Sequence, residues 1–251
     1  MSIIESNDNI RVALLVITTS KNRDSWKNIK DSYLYNLTLK TFLLTKDDKY
    51  EYKIYIGIDN HDRIFDNEEE QNEILKFSKV FKNVKIEFIN YDNDKVPKGH
   101  HTIMWNILFK KAYDDNYDYF VQIGSDIYFQ DKDWINACID LLKQNYDIGV
   151  VGMTDMGRKK YNPNDTLLTQ SFVSRKHMDI FGFYYPHEFK NWFIDDWISE
   201  IYDKSNKKFI IPHRIYNCGG PPRYNVYGDR SLCDKMLIKY KDNIKKYINF
   251  N

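Results

Sequence analysis

A chain of 251 residues, 42% hydrophobic and 29% charged, can bury a sizeable core as one large domain or two small ones. Its 37 Lys and Arg balance 36 Asp and Glu, a net charge of +1 that gives no general footprint for nucleic acid or for an anionic membrane. The polar start of the chain has no apolar leader and no run of eighteen apolar residues occurs, so neither a signal peptide nor a transmembrane segment is expected, and a cytoplasmic setting is.

Aromatic residues make up 16% of the chain, with 20 Tyr. Tyr-rich surfaces can stack on sugars or bases, but heavy use of Lys, Asn, Ile and Asp alongside them is also what an AT-rich genome produces. Cys138, Cys218 and Cys233 match no zinc or disulfide spacing, and reduced thiols are the expected state.

Residues 11–18 form a continuous β-branched and Leu run, the pattern of a strand buried on both faces. It ends in the polar loop Thr18-Thr19-Ser20-Lys21-Asn22-Arg23. Helical spacing follows over 24–44, with Trp26, Ile29, Tyr33 and Leu37 on one face. A second strand, 52–58, runs into Asp59-Asn60. An amphipathic helix over 68–81, a strand over 84–89 and a helix over 101–113 lead to the stretch 117–129. There a buried strand breaks at Gly124-Ser125-Asp126, and the apolar run resumes directly after it. A helix over 133–145, with Asp133 as its expected cap, and a strand over 148–153 complete the alternation.

The order β-α-β-α-β-α-β-α-β predicts an α/β fold: a mostly parallel sheet with helices on both faces. No G-x-G-x-x-G follows the first strand, no P-loop occurs and no G-x-S-x-G elbow occurs, which excludes the commonest dinucleotide, NTPase and hydrolase signatures. Beyond Met153 the pattern loosens. Residues 157–165 read as a basic loop, 167–173 as a strand and 177–181 as a short helix. An aromatic-rich segment, 182–197, continues as helix to Tyr202, and 209–211 reads as a short strand. Cys218-Gly219-Gly220-Pro221-Pro222 is a loop, and 229–247 a basic amphipathic helix.

Three segments together resemble GT-A glycosyltransferases, the nucleotide-sugar-dependent, Rossmann-like fold of family-2-like enzymes. Residues 99–112, opening Gly99-His100-His101, look like the glycine-plus-helix segment before the metal-binding strand. Residues 119–129 look like that strand, which in the family ends in D-x-D. Ser171-Phe172-Val173-Ser174-Arg175, Ile180-Phe181-Gly182-Phe183 and Asp195-Asp196-Trp197 look like the acceptor-side block. The resemblance covers about 11–215. It implies one domain with a nucleotide-sugar-binding half (about 11–153), an acceptor half (about 154–228) and a closing helix (229–251).

Such chemistry needs negative charge stabilised on a diphosphate leaving group, commonly by a divalent cation, and a carboxylate base for the acceptor hydroxyl. The resemblance therefore implies a UDP-sugar or related donor, a glycan, protein or small-molecule acceptor, and Mn²⁺ or Mg²⁺. Asp126 is the expected metal ligand, with His213 as a further one. Asp196 is the expected general base for an inverting displacement, with Asp195 beside it. Thr18, Thr19, Arg23, Asp59, Lys98, Asn106 and Ser125 are the expected donor-binding set. Trp192 and Trp197 flank the acidic pair as candidate stacking platforms, and Gly219-Gly220 with Arg223 as a mobile lid carrying a cation. One departure is evident: Gly124 stands where D-x-D has its first carboxylate. That motivates an alternative, a GT-A-like module without catalysis that binds a glycan or a protein. A nucleotidylyltransferase would want a glycine-rich loop after the first strand, and 18–23 contains no glycine.

Overall fold

The computed structural model describes residues 10–92, 94–219 and 222–250. Eight strands form one sheet: β1 (Arg11–Thr18), β2 (Glu51–Asp59), β3 (Val84–Tyr91), β4 (Tyr119–Ile123), β5 (Ile127–Phe129), β6 (Val150–Asp155), β7 (Ser171–Ser174) and β8 (Lys208–Asn217). Their order is β3-β2-β1-β4-β7-β6-β8-β5. The pairs β1 with β2, β1 with β4, β2 with β3 and β6 with β8 are parallel, whereas β7 and β5 run antiparallel to their neighbours. This is the mostly parallel α/β architecture that the alternation of elements predicts, consistent with a Rossmann-like GT-A fold.

Period-two alternation on β1 explains the two layers of core. Val12, Leu14 and Val16 pack with α1 (Lys40–Thr45), α2 (Glu68–Val80) and α4 (Trp134–Gln144), through Phe42, Ile74, Trp134 and Cys138. Ala13 and Leu15 face the other way, toward α3 (His101–Asp114), α6 (Lys176–Phe181), α7 (Ile194–Asp203), α8 (Arg230–Tyr240) and α9 (Asn243–Phe250). The buried Cys138 and Cys233 and the exposed Cys218 are free thiols.

Several boundaries differ from the sequence reading. The helix expected over 24–44 is a turn, a 3₁₀ segment at Ile29–Asp31, a π-helical stretch at Leu34–Leu39 and then α1. The capping box of Asn28 and Asp31 isolates that 3₁₀ turn. The π-helical stretch and the start of α1 present Thr38 and Thr41 to the edge strand β5, where their hydroxyls accept from Ile127 N at 3.0 Å and Phe129 N at 3.1 Å. Asp133 occupies the N-cap position of α4 in the left-handed region (φ 65°) and its side chain caps nothing. The basic stretch after β6 is partly the short helix α5 (Met156–Tyr161), because Asp155 caps it through Gly157 N and Arg158 N. β7 is shorter than 167–173 and β8 longer than 209–211, and the closing helix is two helices, α8 and α9. No helix among the described residues is long and apolar enough to cross a membrane.

Candidate active site

After β1 the chain winds outward through β2 to β3. It then returns across β1 to form β4, so the winding reverses between β1 and β4. The helices that follow the two strands diverge there and leave a crevice at the carboxyl ends. β1 delivers Thr18 and Thr19 to it, β2 delivers Asp59, and β4 delivers Gly124, Ser125 and Asp126. The cleft holds about 550 Å³, within the usual range for a small-molecule site.

Asp62, in the turn after β2, holds the floor together. Its Oδ2 accepts from Thr19 Oγ1 at 2.9 Å and Ser20 N at 2.7 Å, and its Oδ1 from Ile64 N at 3.0 Å and Phe65 N at 2.9 Å. Those backbone hydrogen bonds hold its carboxyl below the usual range in spite of burial, which acts the other way. Asp59 accepts a short hydrogen bond from the Tyr224 phenol, which ties the segment after β8 to the end of β2. Thr18 Oγ1 is buried at the cleft wall without a hydrogen-bond partner among the described residues.

Asp126 lies in the loop between β4 and β5, and Cys218 N donates to its backbone carbonyl at 2.9 Å. Burial raises its carboxyl pKa, offset in part by Arg223. One Arg223 Nη2 lies 3.7 Å from Asp126 Oδ2, and Nη1 donates to Ser125 Oγ at 3.2 Å. Gly124 N donates to Gln170 Oε1 at 2.7 Å, which fixes the bend.

The resemblance implies a divalent cation here, and the donor set does not fit one. Such an ion wants several converging oxygens. Among the described residues no three His, Cys, Asp or Glu side chains gather as a metal-binding group. His213 lies outside the cleft on β8. Ile127 pairs with Asn217, so Asp126 sits near the end of β8. His213 is several residues back along that strand, on the order of 15 Å away at about 3.3 Å per residue. The two side chains therefore do not form one site.

The acidic pair lies at the start of α7. Phe193 takes its N-cap position in the left-handed region (φ 64°), which turns Asp195 and Asp196 into the cleft within the first helical turn. Neither carboxylate is the N-cap. Burial, and next the charge of Asp196, push the Asp195 pKa up to about 6. Asp196 is more open, with 27% of its side chain exposed and one oxygen 4.0 Å from Arg230 Nη1.

A raised carboxyl pKa means that the folded protein keeps a proton that the unfolded chain releases between about pH 4 and 6, so stability falls as pH rises through that window. Asp195→Asn is therefore expected to raise the melting temperature near pH 7.5 by a few degrees, about 1–2 kcal/mol. It should change little at pH 4. An equal rise at both pH values would show that titration of Asp195 is not the cause.

Other expected residues fall elsewhere. Arg23 and Ser125 line the cleft, but Lys98 lines a smaller neighbouring cavity with Lys21 and Lys190. Asn106 is structural: its Nδ2 donates to Tyr185 O at 2.8 Å, and its Oδ1 accepts from Tyr184 N and Tyr185 N at 2.9 and 3.0 Å. Its amide holds the aromatic segment and does not line the cleft. Trp197 is fully buried among Phe181, Phe183 and Tyr240, so it is core and not a stacking platform. Trp192 lines the cleft with 48% exposed. The expected lid includes Gly220, which with Pro221 lies outside the described residues. Gly219 is described and its backbone closes on the Asp126 carboxylate, where a Cβ would stand 2.0 Å from Oδ2.

Sequence reasoning missed Gln122, Gln170, Tyr185 and Arg158. Tyr185 donates to Gln122 Oε1 at 3.1 Å at the cleft floor. Arg158 reaches the cleft from α5, held by Asp165 at 2.7 Å. A Gln within an otherwise apolar strand was the available signal for Gln122. Nothing local marked Arg158 among the basic residues beside it.

Neither a family model nor a curated protein sequence matches the chain. Its fold is shared with solved structures of TarS from S. aureus. The match to one TarS structure has a TM-score of 0.55 at 14% identity and covers 93% of this chain but 43% of that one. The structure of TarS 1-349 in complex with UDP-GlcNAc matches with a TM-score of 0.56 at 13% identity, over 93% of this chain and 72% of that one. The complex of TarS 1-349 with UDP matches with a TM-score of 0.54 at 14% identity, over 92% of this chain and 70% of that one. The chain thus spans less than half of the longer TarS chain.

Proposed function

We propose that the protein is a glycosyltransferase that moves a sugar from a nucleotide-sugar donor, a UDP-sugar in the first instance, to a hydroxyl acceptor with inversion. One observation carries the reading: the strand-end groups after β1, β2 and β4 and the acidic pair of α7 open into the same cleft. The fold shared with proteins solved with UDP and UDP-GlcNAc supports the choice of donor.

In this reading Thr18, Thr19, Arg23 and Asp59 receive the nucleoside, and the diphosphate lies toward Ser125 and the Arg223 guanidinium. The acceptor enters on the Trp192 side. Its oxygen forms the new bond to the anomeric carbon as the bond to the diphosphate oxygen breaks. The electron pair of the breaking bond leaves with the nucleoside diphosphate, and the acceptor proton goes to Asp196. Asp195 sits deeper and shapes the field around that base. Its tendency to hold a proton relieves the repulsion between two adjacent carboxylates.

The test is calorimetric binding of UDP and GDP, followed by nucleotide release from a panel of their sugars with water and simple glycosides as acceptors. Binding and turnover of at least one donor are expected. A protein that binds glycans but no nucleotide would be a GT-A-like binding module and not a transferase.

A further inference from the structure

We propose that Arg223, held on Asp126, supplies the positive charge that the donor's leaving group needs, and that this site works without a divalent cation. The inference rests on the nucleotide-sugar reading above and concerns how that same site handles charge.

Three features carry it. The first is space. A Cβ placed on Gly124 would lie 2.7 Å from Asp126 Oδ1, and one on Gly219 would lie 2.0 Å from Oδ2. Backbone closes on the carboxylate from both sides, and position 124 cannot take a second acidic ligand while Asp126 keeps this rotamer. The second is the occupant of the remaining side. Arg223 Nη2 stands 3.7 Å from Asp126 Oδ2, where a cation bound to that oxygen would meet a like charge.

The third is the unused hydrogen-bonding capacity of the guanidinium. Arg223 Nε and Nη2 are buried and make no hydrogen bond among the described residues, while Nη1 is committed to Ser125. Buried donors are seldom left unmatched, and a planar guanidinium matches a phosphate bidentately. Arg23 lines the same cleft close enough to repel Arg223 and to stabilise the Asp126 charge. The Arg223 guanidinium, with Nε and Nη2 unengaged, faces the place where in this reading the diphosphate gains negative charge as the glycosidic bond breaks.

Asp126 becomes in this account a positioning residue. It holds the guanidinium in the cleft and binds no metal. Metal-independent donor binding follows, and so does dependence on a residue from the segment after β8.

The experiment is calorimetry with UDP and with uridine, each in EDTA and in Mn²⁺, on the wild type, Arg223→Gln, Arg223→Lys and Asp126→Asn. The wild type is expected to bind UDP equally within about 2-fold with and without the metal. Arg223→Gln should lose UDP affinity by about 100-fold, the scale of a buried charge-assisted contact, with uridine affinity unchanged. Arg223→Lys should recover part of the loss. A gain of 10-fold or more in UDP affinity on adding Mn²⁺, abolished by Asp126→Asn, would overturn the proposal, and that comparison does not need any Arg223 variant to fold. If the wild type binds UDP under neither condition, the nucleotide-sugar reading itself fails and this proposal falls with it.

Discussion

Asp196→Asn is expected to lower glycosyl transfer by about 10²–10⁴-fold, the range seen when a general base is removed, while UDP affinity stays within about 2-fold. The amide has the shape of the carboxylate but cannot take the acceptor proton. The proposed donor-side groups come from the ends of β1, β2 and β4 and from the segment after β8, whereas Asp196 lies in the first turn of α7 beside Arg230, which is why binding should survive. The exchange also removes the like charge beside Asp195. The pKa of Asp195 should move down, because that charge is the second cause of its elevation after burial. Single-turnover rates with saturating donor, together with the Asp195 titration followed by carboxyl NMR, check both halves. Transfer at wild-type rate in Asp196→Asn would remove this residue from the base role. An undiminished rate there with loss in Asp195→Asn would assign the role to its neighbour.

Asp62→Ala is expected to destabilise the protein by about 3 kcal/mol, a fall of roughly 6–12 °C in melting temperature for a chain of this size. The residue is 8% exposed and its carboxylate accepts four hydrogen bonds, three of them from backbone N–H groups. Removing it leaves Ser20, Ile64 and Phe65 amides facing a cavity without an acceptor. The same carboxyl is held below its ordinary value. Its contribution to stability is therefore complete above the unfolded carboxylate range near pH 4 and is lost as pH falls through the lower folded value. The wild type should lose more stability than Asp62→Ala on acidification through that window. UDP affinity should fall too, since Thr19 and the loop after β1 are set by this anchor. A variant that melts within a degree of the wild type and binds UDP normally would show that the loop after β1 holds itself.

The physical reasons for what could and could not be foreseen differ from residue to residue. Thr18, Thr19, Asp59 and Asp126 were legible because a polar cluster directly after a buried apolar run marks a strand end, and strand ends face the crevice in this architecture. The acidic pair was legible as a helix start. Asn106 was not, because a buried amide holding the Tyr184 and Tyr185 backbone looks in sequence like any polar residue on a helix. His213 was expected from the resemblance, by its place after a short strand-like segment, and strand register then carried it away from Asp126. Trp197 sits beside the acidic pair in sequence, but the 3.6-residue period of α7 turns it into the core.

By itself, the sequence determined the layer order of this protein, because hydrophobic period and turn chemistry are local properties. Runs buried on both faces alternate with amphipathic helices, and only a sheet covered on both sides satisfies them. It also determined the identity of the odd triplet, Gly124-Ser125-Asp126. The tertiary structure alone decided what that triplet meets. β7, four residues long, enters antiparallel between β4 and β6, and β8 carries Gly219 and Arg223 back to Asp126 from almost a hundred residues away. Contacts over such separations depend on register and strand direction, which leave no local trace. They set the Asp126 carboxylate beside the Arg223 guanidinium.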